Sequence, residues 1–286
     1  MHKRRDFLKL SLIATTYLLS ACSDKNSKNR MNDKVITNKD GLIINASLNI
    51  PPLIDPEVDT NGVKQYNLSI QKATHNFYKD KVTNTFGINQ SYLGNTLLVK
   101  RDDKVSINYT NNLDEVTTMH GHGMHVPASQ DGGVHQKIEV GSTWRASYSV
   151  NQKACTNWYH PHLMGKTAEH VYKGLAGLII VEDDESDNLD LPKKYGVNDI
   201  PLIVQDRTFV DSQLDYNPSP RDIMMGYRGD VLLSNGQIEP ILKVKADTIR
   251  LRILNGSNAS MYKFYFDDNR TFKQIATDNA FLQAPV

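Results

Sequence analysis

At 286 residues, with a formal net charge of +1 and 39% hydrophobic residues, the chain has the length and apolar content for two packed domains of ordinary size. Near-neutrality without a basic stripe excludes a dominant nucleic-acid footprint. The chain has two cysteines, Cys22 and Cys155, and the first lies in a targeting segment, so a disulfide framework is excluded.

The N-terminal segment reads as an address. Arg4-Arg5 precede an apolar run over residues 10–19, which is too short to span a bilayer as a permanent helix. The Arg pair followed by Phe7-Leu8-Lys9 resembles a bacterial twin-arginine export signal, and Leu19-Ser20-Ala21-Cys22 resembles a lipobox. Cleavage there would leave Cys22 lipidated, and acyl chains anchor by burying methylenes in the bilayer. This reading gives a signal over residues 1–22. A polar tether rich in Lys, Asn, Asp and Ser follows over residues 23–40.

From residue 41 the pattern is β. Val105, Ile107 and Tyr109 alternate with Ser106, Asn108 and Thr110; Trp144, Ala146, Tyr148 and Val150 alternate with Arg145, Ser147 and Ser149. Residues 175–181 form a nearly continuous apolar run, which suits a strand buried on both faces. Short strands punctuated by turns predict an all-β, Greek-key sandwich over residues 41–183. The acidic run at residues 182–187 reads as a solvated linker.

A second β region, residues 196–286, starts its strand pattern at Ile200-Pro201-Leu202-Ile203-Val204 and carries an Asn235-Gly236 turn signal. Ile249, Leu251 and Ile253 alternate with Arg250 and Arg252, and Tyr262, Phe264 and Phe266 alternate again. The stretch stops at Ala284-Pro285-Val286 without a closing strand pattern, so this second domain is expected to be incomplete.

The chemistry concentrates in two His-x-His pairs, His120-Gly121-His122 and His160-Pro161-His162. On a strand such residues share a face, with backbones about 6.6 Å apart. Two imidazoles can then share one metal or reach two neighbouring ones. Imidazole clusters without clustered carboxylates suit copper or zinc rather than magnesium or calcium. His75, His125, His135 and His170 lack partners at ligand spacing and read as surface or packing residues. Scattered Met124, Met164, Met224 and Met225 read as core filling, and Cys155, without a flanking His, as a buried thiol.

The context completes a pattern. Thr117-Thr118-Met119-His120-Gly121-His122-Gly123 is followed by Asp131-Gly132-Gly133. Asn157-Trp158-Tyr159-His160-Pro161-His162 is followed by Gly174-Leu175-Ala176-Gly177. In this order and spacing, from about residue 84 onward, the chain resembles a bacterial multicopper oxidase of the periplasmic copper-efflux, cuprous oxidase type. The resemblance implies cupredoxin-like domains and a trinuclear copper cluster built from four His-x-His motifs. It assigns His120 to the mononuclear (type 2) copper and His122, His160 and His162 to the coupled (type 3) pair. Asp131 matches an acid that delivers protons. The implied reaction oxidises cuprous ion or a phenol one electron at a time and reduces dioxygen to water.

Two departures stand out. Gly121 replaces the Trp usual in the family, which removes an aromatic wall and loosens the strand. The last domain, with its blue-copper Cys thiolate and four further cluster histidines, does not occur in these 286 residues. The expectation is therefore an N-terminal fragment, inactive alone, whose missing C-terminal domain is its partner. The alternatives are a non-catalytic envelope scaffold of the same fold, including one acting in cell division, and a copper-storage protein. A two-domain nitrite reductase would need a blue-copper Cys loop in the first domain. A zinc hydrolase would need a general base beside an open metal position.

Overall fold

The computed structural model describes residues 35–245 and 248–286. The export signal, Cys22 and residues 23–34 of the expected tether lie outside them. Within the tether's last residues, Ile36–Thr37 pairs antiparallel with Ile43–Ile44. Among the described residues no helix is long and apolar enough to cross a membrane.

Two sheets form the first unit. In one, Lys104–Asn112 lies between Thr143–Ser149, antiparallel, and Lys64–His75, parallel; the sheet continues through Thr83–Ile88 to Leu93–Gly94. The other runs Leu97–Lys100, Gly177–Glu182, Cys155–His160, His120–His122. Period-two alternation sends Tyr66, Leu68 and Ile70, and with them Val105, Ile107 and Tyr109, inward, where they meet Ile179, Val181 and Tyr159 of the facing sheet.

The apolar run over residues 175–181 is buried on both faces, as its composition predicts. Ile179 and Val181 join the first core. Leu178 and Ala176 join a second core with Tyr92, Ile203 and Leu233, which welds the sandwich to the next unit. Trp144, across from Tyr109 in the register, stacks on it with ring centroids 5.7 Å apart.

The second unit is built on Asp199–Arg207, buried along its whole length. It lies between Val231–Ser234, antiparallel, and Arg250–Asn255, parallel. Asn235 and Gly236 form the turn after Val231–Ser234, both with positive φ.

Several sequence expectations change here. The alternation at residues 249–253 located a strand but not its faces. Arg252 is 6% exposed and Ile253 39%, because the guanidinium has a buried partner in Asp199 that outweighs the aliphatic side chain's preference. Tyr262, Phe264 and Phe266 alternate without forming a strand; Tyr262 and Phe264 pack as irregular chain against Ile200 and Val204. The acidic run is not simply solvated linker. Asp183 is buried and caps a short helix, Asp184–Asp187, accepting from the Ser186 N–H at 2.7 Å and from the Ala154 N–H at 2.9 Å.

Candidate metal centre

The histidine pairs sit on adjacent strands at one edge of the second sheet. Antiparallel pairing sets His160 opposite His120 and Trp158 opposite His122. Residues two apart share a face, so four side chains, His120, His122, Trp158 and His160, stand on one side of the strand pair. His162 follows Pro161 just beyond the strand. Its backbone N–H is held at 2.6 Å by Thr118 Oγ1, from the approach to the first histidine strand.

Ligand nitrogens of His120, His122 and His160 lie within 4.8 Å of one another. His162 stands beside this trio, its ring centroid 5.3 Å from that of His120 and 6.1 Å from that of His160. The geometry thus brings together three of the four sequence-predicted imidazole ligands tightly and the fourth as a neighbour.

Second partners fix the rings. His120 Nδ1 lies 2.8 Å from the Asp131 carbonyl and His160 Nδ1 lies 2.8 Å from the Pro161 carbonyl. A carbonyl can only accept, so each Nδ1 carries a proton, and in the neutral ring Nε2 is the atom that presents a lone pair. His122 Nδ1 then faces the lone pair of His160 Nε2 at 3.3 Å. Burial pushes the His160 imidazole down to about 3, with neighbouring imidazoles lowering it further against the Pro161 hydrogen bond. Burial also lowers His122. Neutral imidazoles are the metal-binding form.

Trp158 lies flat on His160, with centroids 3.9 Å apart and planes at 24°. It also flanks His122 at 5.3 Å. This wall corrects the expectation about Gly121. A residue between two histidines of a strand faces the opposite side, so Gly121 cannot remove a wall from the imidazole cluster. It borders instead a small cleft on the core side, with Met124, Tyr109 and Trp144. Trp158 stands two residues before His160, and the strand period alone places it on the same face.

Asp131 places a carboxylate oxygen 3.3 Å from His120 Nδ1, with the side chain 39% exposed. Its following glycine is compulsory: Gly132 has φ +75, and a Cβ there would lie 1.8 Å from the Met119 carbonyl oxygen. Among the described residues, His75, His125, His135 and His170 do not join the trio. His170 is fully buried against Thr117 Oγ1 and near Glu115; His75 contacts Ser91 and the Gly236 carbonyl; His125 and His135 are exposed. Cys155 is a buried thiol that accepts from Gln152 Nε2 at 3.3 Å, and burial pushes it up.

Comparison with known proteins places this arrangement. The multicopper oxidase family profile matches residues 69–186. A multicopper oxidase, mco, of Staphylococcus aureus is 43% identical over 236 residues, covering 82% of this chain and 52% of the relative. Over these residues the chain is a relative of the multicopper oxidases. The cell division protein FtsP of Photorhabdus laumondii is 37% identical over 284 residues, 99% of this chain and 56% of that protein. The crystal structure of a laccase from Pediococcus acidilactici superposes with a TM-score of 0.80 at 35% identity, over 85% of this chain and 52% of that one. The fold is accordingly cupredoxin-like, one full sandwich followed by part of a second, and the chain spans about half the length of the curated relatives it matches. This similarity makes copper the metal class to test against the donor set.

Proposed function

We propose that this chain supplies one half of the ligand shell of a multicopper oxidase cluster. The full reaction couples one-electron oxidation of cuprous ion or a small phenol to four-electron reduction of dioxygen to water, and serves copper tolerance. The observation that supports the reading is the convergence of His120, His122 and His160 within 4.8 Å. The donor set fits copper: converging imidazole nitrogens, two of the rings held at Nδ1 by a backbone carbonyl, and no carboxylate in the trio.

His120, His122 and His160 would hold the metal, with His162 as fourth ligand. Bound copper supplies one-electron redox chemistry that no side chain here provides. Asp131 holds a proton-accepting carboxylate at the His120 edge, open enough to exchange with solvent. Trp158 keeps water off one face of His160. The remaining ligands and the electron-entry copper would come from outside these 286 residues. Export through the twin-arginine signal and lipidation at Cys22 would place the protein in the periplasm, at the membrane.

The test is copper loading of the purified chain. Copper should bind, binding should fall sharply in His120→Ala and His160→Ala, and the chain should consume no dioxygen alone. A chain that takes up no copper, or variants that match it, overturns the reading. The FtsP similarity favours a second reading, a non-catalytic envelope scaffold acting in cell division. That reading expects function to survive loss of all four histidines.

A further inference from the structure

The histidine centre receives a second set of neighbours from the other unit. Ala276–Thr277 and Ala280–Phe281 pair as an antiparallel hairpin, Thr277 opposite Ala280, with Asp278 and Asn279 as the two-residue turn. Asp278 takes φ +46, a conformation Asp and Asn tolerate better than most residues. The tip of this turn meets the chain immediately after His122. A Cβ at Gly123 would lie 1.7 Å from Asn279 Nδ2 and 3.0 Å from Asn157 Oδ1. Gly123 also has φ +80, so both handedness and the amide overhead demand glycine.

Two further observations point to the same place. Asn157 Oδ1 is buried with no hydrogen-bond partner, on the strand that carries His160. The donor of Asn279 and this acceptor lie within 3.0 Å of one common point, the side-chain position that Gly123 leaves open. Asp278 precedes Asn279 in the same turn, and Gly123 follows His122 in the chain, so the turn brings an acidic residue to the His122 end of the strand.

We infer that the Asp278–Asn279 turn is the outer shell of the metal centre on its His122 side. Asn279 positions the strand end at Gly123, and Asp278 balances the positive charge of a cation held by His122. Both are positioning residues. The inference rests on the copper reading above, and it makes the second unit part of the site rather than a spacer.

The experiment uses the whole chain with Asp278→Asn, Asn279→Ala and, as reference, His122→Ala. Copper(II) affinity is measured by chelator competition, and stability by thermal unfolding. His122→Ala should lose most binding. Asp278→Asn should weaken copper about fivefold at low salt, with Tm unchanged, and the difference should shrink at about 0.5 M salt, because screening removes a charge effect and not a packing one. Asn279→Ala should alter the copper EPR hyperfine pattern. If the wild type binds copper, His122→Ala loses it and both turn variants match the wild type, the inference fails while the copper reading stands. If the wild type binds no copper, the copper reading fails, and the His122 ring resonances decide the rest. Their shift in both variants supports the turn's coupling to His122; their constancy overturns it.

Discussion

Trp158 and His160, two residues apart on one strand, stack face to face with ring centroids 3.9 Å apart. The indole thereby touches a candidate ligand directly, and it is one of two tryptophans in the chain.

Copper(II) held by His160 should therefore quench tryptophan emission. Trp158→Phe should abolish most of the copper-dependent quench, leaving the response of Trp144, which stacks on Tyr109 instead. Fluorescence titration of the two proteins checks this. Equal quenching in both would place the copper elsewhere.

Asp199 and Arg252 form a buried bidentate pair, with hydrogen bonds of 2.8 and 2.7 Å, and Arg250 stands 3.8 Å from the same carboxylate. Asp199→Ala strands two cations and is expected to cost about 3–5 kcal/mol. Arg252→Met leaves Arg250 as partner and should cost less. Arg252 also donates to Thr156 Oγ1 at 2.7 Å, tying the second sheet of the sandwich to the next unit, so denaturant unfolding should show the loss in both units together.

Two glycines near the histidines should respond differently. Gly132→Ala must relieve both a left-handed φ and a 1.8 Å approach to the Met119 carbonyl. We expect a loss of at least about 2 kcal/mol. At Gly121 a Cβ would meet Met124 Cγ at 3.2 Å, a flexible side chain that can move, so Gly121→Ala should cost about 1 kcal/mol or less. Comparable losses in thermal unfolding would contradict this contrast.

Burial lowers the imidazoles of His75, His122 and His170 and pushes His160 down to about 3. The unfolded chain takes up protons near 6.5 where the folded chain does not. Stability of the metal-free protein should thus hold above about pH 7 and fall as pH drops below about 6.5, continuing toward the folded value of His160. Glu182, whose carboxyl burial pushes up, opposes this as one group against four. Melting temperatures at successive pH values from 7.5 to 5 test it; a flat profile would refute the histidine account.

Much of the site is legible in the sequence. The period of two put His120 with His122 and made the β assignment of residues 105–110 and 144–150, and the continuous apolar run that of 175–181, because alternation and apolar runs are local consequences of how much of each strand is covered. The same period should have exposed Trp158 as a companion of His160 and Gly121 as facing the core.

What the letters determined by themselves was chemistry in short range: which residues are candidate ligands, which strands they ride on, and which family pattern they resemble. Only the tertiary structure decided partners distant in sequence. It set His160 opposite His120, turned Arg252 inward onto Asp199, and brought the Asp278–Asn279 turn onto Gly123. Backbone pairing and burial of charge depend on what lies across a sheet, and strand spacing along the chain carries no record of that neighbour.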